Sequence, residues 1–218
     1  MDKSIYYTCA RPEVVALLPA KVERHLDVGC AAGLFGESLL REGRAVEVWG
    51  VEPTDGPSAE ATKRLSKVIQ GYFDENTPLP DEYFDSISFN DSLEHMPDEV
   101  AALKVAWRKL KPNGTLVVSL PNIRYLENLK ELLIEKEWRY VDAGILDRTH
   151  LRFFTKLSMQ RTIKECGFTI DRVVGINSHW WTGWKIGLLR LIFREHIEDT
   201  RWRQFVVVAR KAPSAGQP

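Results

Sequence analysis

The chain lacks a net charge. Thirty acidic residues balance thirty basic ones among 218, so no overall field draws it to a polyanion and no nucleic-acid partner is expected. Cysteine is scarce. Cys9, Cys30 and Cys166 are odd in number and widely spaced, which argues against a disulfide framework or a zinc site and suits a reducing compartment. No apolar run approaches the roughly 20 residues of a membrane-spanning helix. The opening stretch MDKSIYYTCARPE has no apolar core of a secretory signal, so a cytoplasmic location is expected. Two glycines of the dinucleotide fingerprint are also missing. Gly-x-Gly-x-x-Gly set on Gly29 would require glycine where Ala31 and Leu34 stand, which disfavours a nicotinamide enzyme.

What is present is RHLDVGCAAGLFG at 24–36. An apolar strand ends in Asp27, a small-residue turn follows, and then an apolar-periodic helix. Such a turn lets the backbone approach a ligand and aims free N–H groups at it. VEVWGVEP at 46–53 reads as a second strand ending in Glu52, one strand–helix–strand unit later. An acid there can accept both hydroxyls of a ribose. A helix opening at Pro12 precedes this unit.

After it come a helix at 58–67, a strand at 67–71 and a strand at 86–89 ending in Asn90 and Asp91. A helix runs from Pro97 and Asp98 to about Leu110, with LKPNG as its stop and turn. Strand 115–122, an exit helix 124–137, a helix 155–166 capped by Thr155, and strands 167–177 and 203–211 complete the pattern. The alternation predicts an α/β, doubly wound, largely parallel sheet. No repeat or second core is visible, so one domain over 1–211 is expected, with an arm and helix at 1–20, an insertion at 178–200 and a disordered tail at 212–218.

Asp27-x-Gly29-x-Ala31-x-Gly33 resembles the first motif of the class I S-adenosylmethionine-dependent methyltransferases, Asp-x-Gly-x-Gly-x-Gly, with Ala31 at the middle glycine. Three further phrases are similar to that family. These are the Asp-Glu-x-Phe-Asp entry at 81–85, Leu-Glu-His-x-x-Asp at 93–98, and Lys-Pro-x-Gly before the strand at 115. The resemblance covers about residues 20–177 and extends to the last strand. It implies a Rossmann-like sheet of seven strands with the last antiparallel, and S-adenosylmethionine as cofactor. It also implies a cofactor site made by Asp27, Gly29, Ala31, Gly33, Glu52 and Pro53, with Tyr72 and Phe73 in the adenine region and Asn90 and Asp91 toward the methyl group. Arg11, on the arm, either meets the cofactor's carboxylate or is an exposed arginine on a packed arm.

A hydroxyl acceptor must lose a proton during methyl transfer, which calls for a base near the methyl group. The best candidates lie in AGILDRTHLRFFT at 143–155. His150 can take the proton and Asp147 can orient its ring, while Arg152 is a candidate for substrate binding. The alternative is that His150 and Arg152 merely tie a loop to the sheet. This phrase resembles methyltransferases associated with cell-surface polysaccharide assembly, implying an acceptor hydroxyl on a glycan sugar or its precursor.

Asp91, Glu94 and His95 offer a different chemistry. They resemble the ubiquinone-pathway O-methyltransferases, which implies a divalent ion and a quinone or phenol acceptor. Residues 179–197, HWWTGWKIGLLRLIFREHI, combine Trp180, Trp181 and Trp184 with Lys185, Arg190 and Arg194. That mixture fits a sugar-binding wall, a membrane-interface helix at 180–197, a dimer surface or a core helix. A non-catalytic binding module on the same fold is the remaining alternative.

Overall fold

The computed structural model describes residues 10–178 and 184–212. Seven strands form one sheet in the order β3-β2-β1-β4-β5-β7-β6. They are β1 (Val22–Val28), β2 (Ala45–Glu52), β3 (Lys67–Gln70), β4 (Phe84–Asn90), β5 (Leu110–Pro121), β6 (Phe168–Ser178) and β7 (Trp202–Lys211). β1 to β5 pair in parallel, and β7 slots between β5 and β6 antiparallel to both.

Helices cover both faces, as two apolar clusters require. α1 (Pro12–Val15), α2 (Leu34–Arg41) and α3 (Asp55–Thr62) give Val14, Phe35, Leu39 and Ala61 to one cluster with Val48 and Val206. α4 (Glu99–Lys109) and α6 (Lys156–Glu165) give Leu103, Ala106, Met159 and Ile163 to the other, with Leu26, Ile87 and Val118. α5 (Leu126–Lys130) and α7 (Trp184–Phe193) lie in the connections. The expected doubly wound sheet is therefore the fold, with the antiparallel strand in the expected place.

Three elements differ from the expectation. The helix expected at 58–67 is α3, which starts at Asp55 and ends at Thr62. LKPNG is not a plain turn, because β5 begins at Leu110. Two residue steps on β4, Phe84 to Ser86, face five on β5, Leu110 to Thr115. The extra residues bulge out, with Asn113 left-handed (φ 62). The exit helix is also shorter than 124–137. After Lys130 it widens into a π turn over Glu131–Glu135, closed by left-handed Lys136 (φ 56). Lys130 pairs Glu135 at 2.8 Å, five residues on, which is the spacing of a π turn. No residue of either piece is buried, so no packed face sustains a regular helix.

The serines of β4 have a structural reason. His25 on β1, fully buried, joins Ser86 Oγ through Nδ1 (2.7 Å) and Ser88 Oγ through Nε2 (3.0 Å). Burial lowers its pKa to about 3, so the ring is neutral.

Candidate active site

The parallel register brings the carboxyl ends of β1, β2 and β4 level. Asp27 lies beside Gly50 and Ser88, and Val28 beside Val51 and Phe89. The order of the strands reverses between β1 and β4, and at such a switch point a crevice opens at the carboxyl end of the sheet. Because β7 is antiparallel, its first residues reach the same end, with Gln204 opposite Pro121. A cleft of about 1770 Å³ follows this edge and continues along α4.

The glycine turn forms one wall. Gly29, Ala31 and Gly33 all have positive φ, at 75, 48 and 81°. A Cβ on Gly29 would fall 2.5 Å from Ser92 Cβ, so only glycine admits both the conformation and the contact. Ala31 carries the left-handed cost of a side chain there. Its turn aims its N–H at Glu52 Oε2 (3.0 Å), and the Thr54 N–H donates to Oε1 (3.0 Å). Glu52 thus presents a fixed carboxylate into the cleft beside Pro53. Tyr72 is 78% exposed, whereas Phe73 is buried edge-on against Phe89 at 5.8 Å. Both line the cleft.

Asp27 stands behind this wall rather than in it. Its Oδ1 accepts from Ser88 Oγ (2.8 Å) and Asn90 Nδ2 (3.2 Å), and burial raises its pKa to about 6. It braces Asn90, whose own buried Oδ1 has no hydrogen-bond partner among the described residues, an orphan that calls for an explanation. Arg11 likewise differs from the expectation. Left-handed at φ 50, it donates to Asp91 Oδ2 (2.6 Å), Ser119 Oγ (2.9 Å) and Glu13 Oε1 (2.8 Å). Its fork is engaged by these three side chains, so it holds Asp91 instead of facing the cleft. Gln204 donates to the same Oδ2, and Ser119 to Oδ1 at 2.8 Å. Asp91 lines the cleft at φ 52 with its carboxylate already held from three sides.

The second wall is the segment between β5 and α6. His150 Nδ1 lies 3.0 Å from the Ile145 carbonyl. A carbonyl can only accept, so Nδ1 carries the proton and Nε2 is a lone-pair acceptor. Burial lowers the His150 pKa below the usual value, and neighbouring His95 adds to this. The orienting group is therefore Ile145, not Asp147. The Asp147 carboxylate instead accepts from Thr149 N (2.8 Å) and Oγ1 (2.7 Å).

Arg152 also leaves its expected role. It donates to the Pro97 carbonyl (3.0 Å) and pairs Glu99 at 3.2 Å, stapling the loop to the start of α4. The Glu94 carbonyl accepts from Leu151 N at 2.8 Å in the same staple. Trp180 and Trp181 lie outside the described residues.

Glu94 is the group whose place the sequence does not reveal. It is fully buried, neither carboxyl oxygen has a hydrogen-bond partner among the described residues, and burial raises its pKa well above the usual value. His150 Nε2 is 3.9 Å from its Oε1. One ligand atom each from Glu94, His95 and His150 fall within 4.8 Å of one another. The alternative cation set of Asp91, Glu94 and His95 is not the one brought together, since His150 stands in place of Asp91. Asn177, Arg203 and Gln204 are cleft residues that sequence reasoning missed. No local motif marks them, because β7 reaches the site only through its antiparallel insertion.

These features define an α/β protein with a cleft at a sheet switch point, one wall a glycine turn and the other a histidine-bearing segment. A family model described as a methyltransferase domain matches residues 3–173. A ubiquinone biosynthesis O-methyltransferase of Vibrio campbellii is 27% identical over 161 residues, covering 70% of this chain and 66% of that protein. The enzyme of the same description from Xanthomonas campestris pv. campestris is 34% identical over 121 residues, covering 53% of this chain and 48% of that protein. The chain thus matches two thirds or less of these relatives' length.

A solved S-adenosylmethionine-dependent methyltransferase from Archaeoglobus fulgidus superposes with TM-score 0.67 at 21% identity, covering 96% of this chain and 95% of that one. At that identity it speaks for the fold. The chain belongs to the methyltransferase-domain family, and family and fold together imply S-adenosylmethionine as cofactor. The residues present fit that group. Gly29 and Ala31 bring backbone to the cleft, Glu52 offers a fixed acceptor there, and the buried Asn90 Oδ1 is unpartnered among the described residues.

Proposed function

We propose that this chain methylates a hydroxyl oxygen of a small-molecule or glycan acceptor. The observation that carries this reading is His150, whose Nδ1–H is fixed on the Ile145 carbonyl so that Nε2 is a proton acceptor. The cofactor supplies a methyl group on a positively charged sulfur, already activated for displacement. Glu52 and the Gly29–Gly33 turn would hold it, with Asp27 bracing Asn90 behind that wall. His150 takes the acceptor's proton at Nε2 as the carbon–oxygen bond forms, and the imidazolium then stands next to Glu94. The acceptor we favour is a sugar hydroxyl of a surface glycan or its precursor, on the resemblance of the 147–155 phrase.

His150→Ala should lower kcat by about 10²–10⁴-fold while the S-adenosylhomocysteine Kd stays unchanged by calorimetry. Equal loss of both would place His150 in the cofactor site or the fold.

A second reading rests on Glu94. Its two unpartnered oxygens and the imidazoles of His95 and His150 are donors that suit a divalent ion. Such an ion would polarise a quinol-type hydroxyl, the acceptor class that the named relatives suggest. The two readings part at one test. Excess chelator leaves turnover intact under base catalysis, and abolishes it reversibly if the ion carries the chemistry.

A further inference from the structure

Beyond His150 lies an aromatic surface that the proposed chemistry does not use. Phe153 is its hub. Trp138 meets it edge-on at 5.5 Å, Tyr140 at 6.3 Å, and the His150 ring at 6.2 Å. The row therefore runs outward from the candidate base, and its outer members are open to solvent, Trp138 at 36% and Tyr140 at 49%. The three rings lie outside the cleft lining and adjoin it through His150, and exposed rings beside a site mark a surface kept for a ligand rather than for the core.

These rings stand on a pinned scaffold. Val141 N donates to the Leu146 carbonyl and Arg148 N to the Val141 carbonyl, both at 3.0 Å. The segment is then held at Leu151 by the Glu94 carbonyl and at Phe154 by Ile123 N (2.9 Å). Phe153 thus sits between two pinned residues, and Tyr140 next to a third, so the platform needs little backbone ordering when a ligand arrives.

We propose that Trp138, Tyr140 and Phe153 form the platform on which a sugar ring of the acceptor lies, adjoining the hydroxyl delivered to His150. This rests on the glycan reading above and deepens it. A pyranose has a C–H-rich face that lies on an aromatic ring and a rim of hydroxyls that seek polar partners. The aromatic positions here alternate along the chain with such partners, Arg139 between Trp138 and Tyr140, then Asp142. A flat quinol would call for a slot closed on both faces. An acyl chain would call for apolar surface without the charges of Lys136, Glu137 and Arg139.

The test is saturation-transfer NMR on the full chain with S-adenosylhomocysteine present. The probes are methyl pyranosides of the gluco, galacto, manno and rhamno series. At least one should receive saturation, strongest at its ring C–H protons. Trp138→Ala and Tyr140→Ala should each weaken that signal by roughly threefold or more, and Trp138→Phe should keep it. All three variants alter exposed side chains and should bind S-adenosylhomocysteine as the wild type does.

Signals equal in wild type and alanine variants would overturn the platform. So would the absence of any sugar signal from wild type that binds S-adenosylhomocysteine, or sedimentation with phosphatidylglycerol vesicles that Trp138→Ala abolishes. Failure of the wild type to bind S-adenosylhomocysteine would overturn the methyl-transfer reading instead.

Discussion

Asp27 illustrates how a motif residue can be visible in sequence while its task is not. The spacing Asp27-x-Gly29 marks the cofactor turn, and from it the side chain was expected to touch the cofactor. In the structure its Oδ1 is taken by Ser88 and Asn90 of the neighbouring strand, a relation that needs the sheet order. Its folded pKa of about 6 lies above the unfolded value near 3.8. The folded state therefore holds this proton more tightly. Stability attributable to Asp27 falls as pH rises from about 4 to about 6 and stays lower above that range, by on the order of 3 kcal/mol. Asp27→Asn keeps the accepting oxygen and removes the charge. Urea unfolding at pH 4 and pH 7.5 should show the variant gaining on the wild type at the higher pH. A pH-independent difference would mean that the Asp27 charge is not a burden on the fold.

At the scale of elements, the cofactor half was legible because each piece carries local punctuation. Gly29 and Gly33 mark the turn, Glu52 ends a strand, and Thr155 caps α6. The acceptor half was legible only in part. AGILDRTHLRFFT pointed to His150, but its partner Ile145 and the Asp147 partner Thr149 are set by the fold of a loop with no regular period, and the Arg152 partner Pro97 lies 55 residues away. Gln204 reaches Asp91 across 113 residues, a separation that no spacing rule spans.

The cap of α6 links the two halves. Thr155 Oγ1 accepts from Ser158 N (3.1 Å), and Ser158 Oγ accepts from Thr155 N (2.9 Å), a reciprocal box. It fixes the end of the His150 segment where α6 docks Met159 and Ile163 into the core. Thr155→Ala should cost about 1 kcal/mol in urea unfolding and speed amide hydrogen exchange at 150–154. An unchanged exchange rate would show that the Phe154 pairing with β5's exit holds the segment without the cap.

For the whole molecule, the question is whether the site still takes its cofactor, since the fold by itself does not decide chemistry. Thermal unfolding reads that binding directly, because a ligand held by the native state alone raises the midpoint. A ligand that binds only the native state at 100 times its Kd adds about 2.7 kcal/mol. For a chain of this size that raises Tm by about 5–10 °C. S-adenosylhomocysteine should produce this rise and NAD none, because the Gly-x-Gly-x-x-Gly spacing fails at Ala31 and Leu34. Glu52→Ala, with its two amide donors left unpaired, should bind roughly tenfold more weakly, a loss of about 1.4 kcal/mol. The rise at the same ligand concentration should then fall to about half. If neither S-adenosylhomocysteine nor NAD moves Tm, the turn at Gly29 serves packing alone. Function would then have to be sought on the surface around Trp138 and the 184–201 connection rather than in the cleft.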